Sequence, residues 1–278
     1  MLRKVKGDKA SKEDAFLSTF DANCAVAIGA TGDYFERAEK LVSAGTDILC
    51  VDVAHGDSLI VVESVKKLRQ VFPHITLIAG NVATGKGAAR LIDSGADAIR
   101  VGIGSGAACS TRVMTGSGIP TLQSLFDCQE YLDLHGYKDV CLIADGGIKN
   151  GGDIVKSIAA GASSVMLGQL LAATDESPGD LVSNGTMKKY RGMSSYGAQS
   201  EWRPETKNNI VPEGEETLLP YKGSVKKAIH ELVGGLRSGM TYSNARTLIE
   251  LQNNAEFVHI TSSGWAESKP HAKNIRTI

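Results

Sequence analysis

Residues 140–171, VCLIADGGIKNGGDIVKSIAAGASSVMLGQLL, contain the pattern that defines the fold class. Two apolar runs, at 140–148 and 164–171, each carry glycine near their ends. The segment 151–161 between them has the apolar spacing of an amphipathic helix and ends in glycine, as helices often do. A strand, a helix and a second strand in this order predict a βαβ unit with parallel strands.

The same alternation of strands and helices extends over most of the chain. Apolar runs lie at 24–30, 47–56, 75–84, 98–106, 140–148 and 164–171, and helix-like segments separate most of them. Near-continuous apolar character is typical of strands that are buried on both faces of a parallel sheet. The alternation predicts an α/β fold, either a closed (β/α)8 barrel or an open doubly wound sheet, and periodicity does not separate the two. Six runs are two fewer than a closed barrel has.

The alternation ends after residue 172. Residues 183–223 are polar and rich in glycine, asparagine, glutamate and proline, which predicts a long mobile loop or flap. Helix-like segments follow at 223–239 and 243–254, and a short strand is predicted at 256–260.

Composition excludes several classes of protein. The formal net charge of the 278 residues is −1, which argues against a nucleic-acid groove or an anionic membrane as the main partner. No apolar run approaches the roughly 20 residues of a membrane span, and the charged N-terminus does not resemble a signal peptide. Five cysteines without a CxxC pair favour a reduced, cytoplasmic location.

The loop VGIGSGAACSTR, residues 101–112, presents Cys109 as a candidate nucleophile. No apolar periodicity includes this cysteine, and the amides of a glycine-rich loop could stabilise its thiolate. The pattern suits a nucleophile and a structural residue equally well. The other cysteines are expected to be small buried apolar residues: Cys24, Cys50, Cys128 and Cys141.

Two glycine-containing strand ends predict a phosphate site. In ADGGIKNGGD, residues 144–153, Asp145 ends a strand and a glycine pair follows, while Gly168 ends the next strand. Glycines allow backbone N–H groups to approach an anion, and late strands of barrels often share such a site, although two ordinary glycine turns are the alternative. Asp52 also ends a strand and could hold a ribose hydroxyl. Residues 102–107 lack the third glycine of a dinucleotide fingerprint.

A longer series of motifs carries a family resemblance. The motifs are GNVAT, RVGIGSGAACSTR, TGSGIPTLQS, IADGGI, SIAAGASSVMLG, YRGMSS, VPEG, PYKG and VGGLRSGM. In this order, over about residues 24–272, they resemble the inosine-5′-monophosphate (IMP) dehydrogenase / guanosine-5′-monophosphate (GMP) reductase family. The resemblance implies a (β/α)8 (TIM) barrel with an active-site flap, assembled as a homotetramer.

The resemblance also implies a domain organisation. The chain matches barrel strands three to eight, so we expect it to lack the first two βα units and the regulatory CBS domains. Residues 1–23 would be an N-terminal extension, and 24–278 the catalytic barrel domain, including a flap at about 183–223. A separate N-terminal barrel segment could then be a partner of this chain.

Functional residues follow from the matched motifs. The resemblance implies catalytic roles for Cys109, Thr111, Arg203 and Glu213. It implies nucleotide contacts by Asp145, Gly146, Gly147, Gly168, Gln169, Tyr190, Gly192, Met193 and Ser194. It implies contacts to NAD or NADP by Asp52, Asn81, Arg100, Gly102 and Gly104. A potassium ion would lie on the loop of Gly104, Gly106 and Cys109, with Glu267 contributed by a neighbouring subunit.

The implied activity is that of a purine nucleotide oxidoreductase. We favour IMP dehydrogenase, which converts IMP, NAD and water to XMP and NADH through an adduct of Cys109 at purine C2. GMP reductase, which converts GMP and NADPH to IMP, ammonia and NADP, is the alternative, and a nucleotide-binding subunit without turnover is the third reading. Three positions depart from the family pattern: Ala107 and Gln169 in the phosphate loops, and Pro204 after Arg203 in the flap.

Overall fold

A computed structural model describes residues 24–202 and 211–270. Its centre is a parallel sheet of six strands: β1 (Ala25–Ile28), β2 (Ile48–Asp52), β3 (Thr76–Val82), β4 (Ala98–Val101), β5 (Cys141–Asp145) and β6 (Ser164–Met166). Each strand pairs with the next one along the chain, so the order in the sheet is the order in the sequence. A doubly wound sheet reverses its strand order at a switch point, and this sheet has no such reversal. The sheet is therefore a partial (β/α) barrel of the TIM type, and the doubly wound alternative is wrong.

Helices connect the strands and continue beyond the last one. Their bounds are α1 (Tyr34–Ser43), α2 (Leu59–Val71), α3 (Gly85–Asp93), α4 (Thr111–Thr115), α5 (Thr121–Leu134), α6 (Gly151–Ala159), α7 (Gln169–Ala172), α8 (Tyr196–Trp202), α9 (Val225–Tyr242), α10 (Leu248–Asn254) and α11 (Ser262–Glu267). Side-chain caps start two of the crossover helices, since Thr84 accepts from Gly87 N–H and Asn150 from Asp153 N–H. None of the described helices has the length and apolar character needed to cross a membrane.

The two faces of the sheet differ in chemistry. Side chains alternate along each strand, so one set meets the helices and the other faces the inside of the barrel. The helix-facing set is fully buried and apolar: Leu49, Val51, Leu77, Ile99 and Leu142. The inner set includes Arg100 and three side chains that contact it: Cys50, Asp52 and Asp145. The apolar core therefore lies mainly under the helices, and the inner face carries these polar side chains together with apolar ones such as Ile78 and Ile143.

The segment predicted as a flap contains regular structure. Strands β7 (Leu181–Val182), β8 (Met187–Arg191) and β9 (Glu216–Pro220) form an antiparallel sheet in the order β7-β8-β9. Lys188 is buried and donates from Nζ to the carbonyls of Thr174 and Ser177, which fixes this small sheet to the end of the barrel. The prediction of a loop over 183–223 was thus wrong for its described part, because pairing between distant strands is not visible in a local pattern.

The helix α9 packs closely on α6 through glycines. A Cβ on Gly235 would lie 2.9 Å from the Cα of Gly151, and one on Gly239 would lie 2.4 Å from a methyl carbon of Val155. The predicted strand at 256–260 does not form. Phe257 packs edge-on against Phe126 of α5 instead, with ring centroids 4.9 Å apart.

Candidate active site

Cys109 lies at the open end of the barrel, on the loop between β4 and α4. Its side chain is exposed, and its backbone N–H donates to Gly106 O at 3.0 Å. Arg112 holds the base of the loop by donating to Ile119 O, and its stem packs against Gly104. The sulfur is therefore presented to solvent from a loop whose backbone is fixed on both sides.

A chain of hydrogen bonds connects this cysteine to an acid from the far side of the sequence. The Cys109 thiol lies 3.2 Å from Thr111 Oγ1, and Thr111 Oγ1 donates to Glu213 Oε2 at 2.9 Å. Glu213 also accepts Ser110 N–H through its backbone oxygen at 2.9 Å. The predicted catalytic residues Cys109, Thr111 and Glu213 are thus brought together by the fold.

Two glycines allow residues 192–195 and 213–215 to pack closely against this loop. A Cβ on Gly192 would lie 2.8 Å from Ala108 O, and one on Gly214 would lie 3.0 Å from Ser195 N. The backbone joins the same segments, because Glu215 N–H donates to Ala108 O and Glu213 N–H donates to Ser194 O. Met193 and Ser194 lie on this crossing, beside the cysteine loop.

The predicted phosphate residues also converge. Gly146 and Gly147 both have a left-handed backbone, with φ of 87° and 82°, and a Cβ on Gly146 would lie 2.5 Å from Ser105 Oγ. At the next strand end, a Cβ on Gly168 would lie 3.8 Å from the Tyr190 hydroxyl, and Gln169 follows at the exposed first position of α7. The two glycine-containing strand ends belong to neighbouring strands, and a phenol lies beside the second one, an arrangement that suits an anion.

The inner face carries a second cluster, centred on Arg100. Its Nη1 donates to Asp52 Oδ1 at 2.6 Å, and its Nη2 donates to Asp145 Oδ2. Asn81 Nδ2 donates to the same oxygen of Asp145 at 2.8 Å and also to Gly102 O. Four of the five predicted cofactor residues, all but Gly104, therefore form one hydrogen-bonded group with the predicted ribose acid.

Charge and burial shape this cluster. Burial opposes the charged form of Arg100, but Asp145 and Asp52 outweigh it and hold the pKa of the guanidinium above its ordinary value. Burial raises the pKa of Cys50 to about 11, although Arg100 opposes the shift. Cys50 is thus a neutral thiol beneath a permanent cation, and Cys109 has no such burial.

Some predicted residues are not tested by this geometry. Arg203 lies outside the described residues, as does the extension 1–23. Glu267 lies on the exposed last helix α11, and its role at potassium stays a prediction, like those of Gly104 and Gly106. Within residues 24–202 and 211–270, no cluster of three or more histidine, cysteine, aspartate or glutamate side chains is arranged to hold a metal ion.

Sequence reasoning missed three contributors to the site. Gly80 lies under the stem of Arg100, Ser105 Oγ donates to Asp145 O at 3.1 Å, and Gly214 bridges to Cys109. Ser105 could have been found, since it lies in the same glycine loop as Cys109. Gly80 and Gly214 contribute because they have no side chain and let other groups approach closely. A local sequence pattern does not show which glycines are approached in this way.

Comparison with known proteins agrees with this geometry. A family model described as the IMP dehydrogenase / GMP reductase domain matches residues 1–271. The chain is 46% identical over 256 residues to inosine-5′-monophosphate dehydrogenase of Nitrosopumilus maritimus (88% of this chain, 53% of the relative). It is 45% identical over 252 residues to the protein of that name from Bacillus subtilis (88% and 51%).

A solved structure is similar as well. The crystal structure of a cysteine-to-alanine variant of GMP reductase from Trypanosoma brucei, in complex with guanosine 5′-monophosphate, superposes with a TM-score of 0.82 at 42% identity. The match covers 88% of this chain and 51% of that one. The chain therefore spans about half the length of the relatives it matches. Since the family model matches almost the whole chain and the fold agrees, the chain belongs to the IMP dehydrogenase / GMP reductase domain family.

Proposed function

We propose that this chain forms the catalytic part of a purine nucleotide oxidoreductase, and that its reaction is the conversion of IMP, NAD and water to XMP and NADH. The observation that supports this most is the hydrogen-bonded series Cys109–Thr111–Glu213 at an exposed loop. In this series the nucleophile Cys109 and the proton acceptor Glu213 are separated by a single side chain, that of Thr111.

The nucleotide would be held at three points. Its phosphate would lie at the opening formed by Gly147, Gly168 and Tyr190. Its ribose diol would donate to Asp145, whose Oδ2 is occupied by Arg100 and Asn81 but whose Oδ1 has no partner within the described ranges. Its base would then extend toward Cys109, beside the crossing of Met193 and Ser194. When the phosphate and the ribose are both held, C2 of the base lies near the sulfur and the substrate loses little further conformational freedom on reaction.

The sulfur of Cys109 would act twice. It adds to C2 of the purine, so that a carbon–sulfur bond forms while the C2–N3 double bond becomes a single bond and N3 takes up a proton. Once C2 has given its hydride to the nicotinamide, water adds to C2 and the carbon–sulfur bond breaks, which releases XMP and the thiol. Glu213 can accept the proton of that water through Thr111, because the two oxygens are 2.9 Å apart. A flap arginine, Arg203, was predicted for this step, and it lies outside the described residues.

The residues on the inner face fit a dinucleotide. Asp52 keeps one oxygen without a partner among the described residues, and Asn81 Oδ1 is buried with none. A ribose hydroxyl and an amide N–H are donors that would satisfy them. NAD or NADP, when bound, supplies the acceptor or donor of the hydride. Potassium on the loop of Gly104 and Gly106 is part of the same proposal.

GMP reductase is the second candidate, and two observations favour it. The solved relative with a TM-score of 0.82 is a GMP reductase in complex with GMP. The Thr111–Glu213 pair could also deliver the proton that ammonia needs when it leaves purine C2. The third reading, a nucleotide-binding subunit without turnover, follows if further barrel strands are needed for activity. A homotetramer in the cytoplasm is the assembly and location that we propose.

One experiment separates these candidates. The chain is incubated with IMP and NAD, and in parallel with GMP and NADPH, alone and with a polypeptide that supplies two further βα units. Absorbance at 340 nm reports turnover, and mass spectrometry reports a nucleotide adduct on Cys109. A rise with the first pair supports the dehydrogenase, a fall with the second supports the reductase, and nucleotide binding without either supports the third reading.

The control makes the same substitution at a different exposed cysteine. Cys109→Ala should abolish both adduct and turnover, whereas Cys141→Ala should abolish neither. Cys141 was expected to be buried, which is wrong, since it is exposed like Cys109; it lies at the opposite end of β5 from Asp145. Failure of every nucleotide to bind would overturn the proposal.

A further inference from the structure

The inner face of the barrel has one row in which a glycine separates two opposite charges. Asp52 of β2 pairs with Gly80 of β3, and Gly80 pairs with Arg100 of β4. Because paired residues on neighbouring strands point to the same face, the three lie side by side. An intervening side chain on β3 would stand between the acid and the guanidinium.

The glycine makes the contact between the two charged residues possible. A Cβ on Gly80 would lie 2.6 Å from Arg100 Cβ and 2.7 Å from Arg100 O. Real Cβ atoms are essentially never found that close to another atom, so any side chain at this position would force Arg100 and its backbone to shift. The stem of Arg100 therefore crosses the bare strand β3 and reaches a carboxylate two strands away.

The guanidinium divides its hydrogen bonds between two acids. One Nη nitrogen contacts Asp52 and the other contacts Asp145, while Nε has no partner among the described residues. Cys50 Sγ lies 3.7 Å from Nη1 on the side away from the opening. Arg100 is nearly buried, with 8% of its side chain exposed, whereas the two acids keep 27% and 20%. The cation is thus buried, whereas its two acids remain partly exposed and each has one oxygen without a partner among the described residues.

We propose that Arg100 is a positioning residue that couples the binding of the two nucleotides, rather than a ligand of either. This inference rests on the proposed function, in which Asp145 holds the ribose of the purine nucleotide and Asp52 holds a ribose of the dinucleotide. Whichever ligand binds first fixes its carboxylate, and this fixes the shared guanidinium. The second carboxylate is then already ordered, so the second ligand binds more tightly. Gly80 takes part by leaving room for the stem.

The test measures the coupling directly. Calorimetry gives the Kd of IMP with and without saturating NADH, and the Kd of GMP with and without saturating NADP, since neither pair can react. For the wild-type chain we expect the dinucleotide to tighten nucleotide binding about tenfold, within the usual range of coupling between sites. In Arg100→Met the ratio of the two Kd values should fall to about one.

A second variant covers the case in which Arg100→Met does not fold. Arg100→Lys keeps the charge, but an ammonium cannot fork across two carboxylates on different strands. The ratio should therefore fall toward one in this variant too. Arg69→Met is the matched control, because Arg69 also pairs with one aspartate, Asp97 Oδ2 at 2.5 Å, but lies among the helices. A purely structural role of Arg100 would weaken both bindings and leave the ratio unchanged.

The outcomes separate the two proposals. If the wild-type chain binds nucleotide with a ratio of one, or if both Arg100 variants keep the wild-type ratio, the coupling proposal is overturned and the proposed function stands. If the wild-type chain binds neither IMP nor GMP, both proposals are overturned together.

Discussion

Arg100 reaches Asp52 across an intervening strand, with Nη1 2.6 Å from Oδ1 although the two residues are 48 positions apart in the sequence. The same guanidinium holds Asp145 on the other side. Each acid lies at the C-terminal end of its own strand, at the edge where barrels build their sites. One buried cation thus joins the two places at which ligands are expected.

The first prediction concerns Gly80. Gly80→Ala should lower the free energy of unfolding by about 1–3 kcal/mol, because the added methyl group overlaps Arg100 and its backbone oxygen. Urea unfolding followed by circular dichroism measures the change. Gly234→Ala in α9 is the matched control, since a Cβ there meets nothing within 4 Å among the described residues. The control should be neutral or stabilising, as alanine is favoured in helices, and equal destabilisation in both variants would contradict the steric explanation.

The cysteines should differ in their reaction with iodoacetamide at pH 8. Cys109 and Cys141 are exposed and should react first. Cys50 and Cys128 are buried, and burial raises their pKa to about 11 and about 12, so roughly one Cys50 thiol in a thousand is the reactive thiolate at this pH. Peptide mass spectrometry over time gives the order. IMP should protect Cys109 and leave Cys141 unprotected, and protection of neither would argue against a nucleotide at the cysteine loop.

The hydroxyl between the cysteine and the acid should matter for turnover but not for adduct formation. Thr111→Val removes the donor to Glu213 and should lower kcat about a hundredfold, a typical contribution of a positioned acid–base group. The Cys109 adduct should still form, which mass spectrometry can detect. Thr115→Val, the same change one turn later in the exposed part of α4, should leave kcat near the wild-type value. A wild-type kcat in Thr111→Val would exclude Thr111 from proton transfer.

Glu176 should make the stability of the chain depend on pH. It accepts Val225 N–H at 2.7 Å and the Ser224 hydroxyl at 2.9 Å at the start of α9, and the first of these bonds is the main reason that its pKa lies below the ordinary value. Because the pKa is lower in the folded state, this stabilisation is present above the unfolded value of about 4.3 and is lost as pH falls through the folded value.

The matching experiment compares melting temperatures at pH 7 and in acid. Glu176→Gln should melt below the wild-type chain at pH 7, and the difference should shrink as the pH falls below 4. Glu231→Gln, on the exposed surface of α9, should show no such convergence. A constant difference for Glu176→Gln at every pH would mean that the charge is not responsible.

Most of the strands and helices were predictable from the sequence, because each depends on a local pattern. All six strands of the parallel sheet lie within the predicted apolar runs, and the helix α6 lies within 151–161. The cysteine loop and the glycine loops were also found, since glycines and a lone cysteine outside any apolar stripe are visible in a short window. The predictions of a short strand at 256–260 and of a loop over the described part of 183–223 were wrong, because strand pairing needs a partner that the local pattern does not identify.

The alternating α/β architecture, the glycine-rich loop of Cys109 and the glycine-containing strand ends were predictable from short stretches of sequence, because each is encoded within a few residues. Three features depend instead on tertiary contacts: the sheet is wound in one direction, Glu213 contacts Thr111 across 102 residues, and Gly80 leaves room for Arg100 to reach Asp52. The physical reason is the same in each case. These relationships depend on which strands are neighbours and in what register, and a glycine that acts through an absent side chain has no chemistry of its own for a sequence pattern to detect.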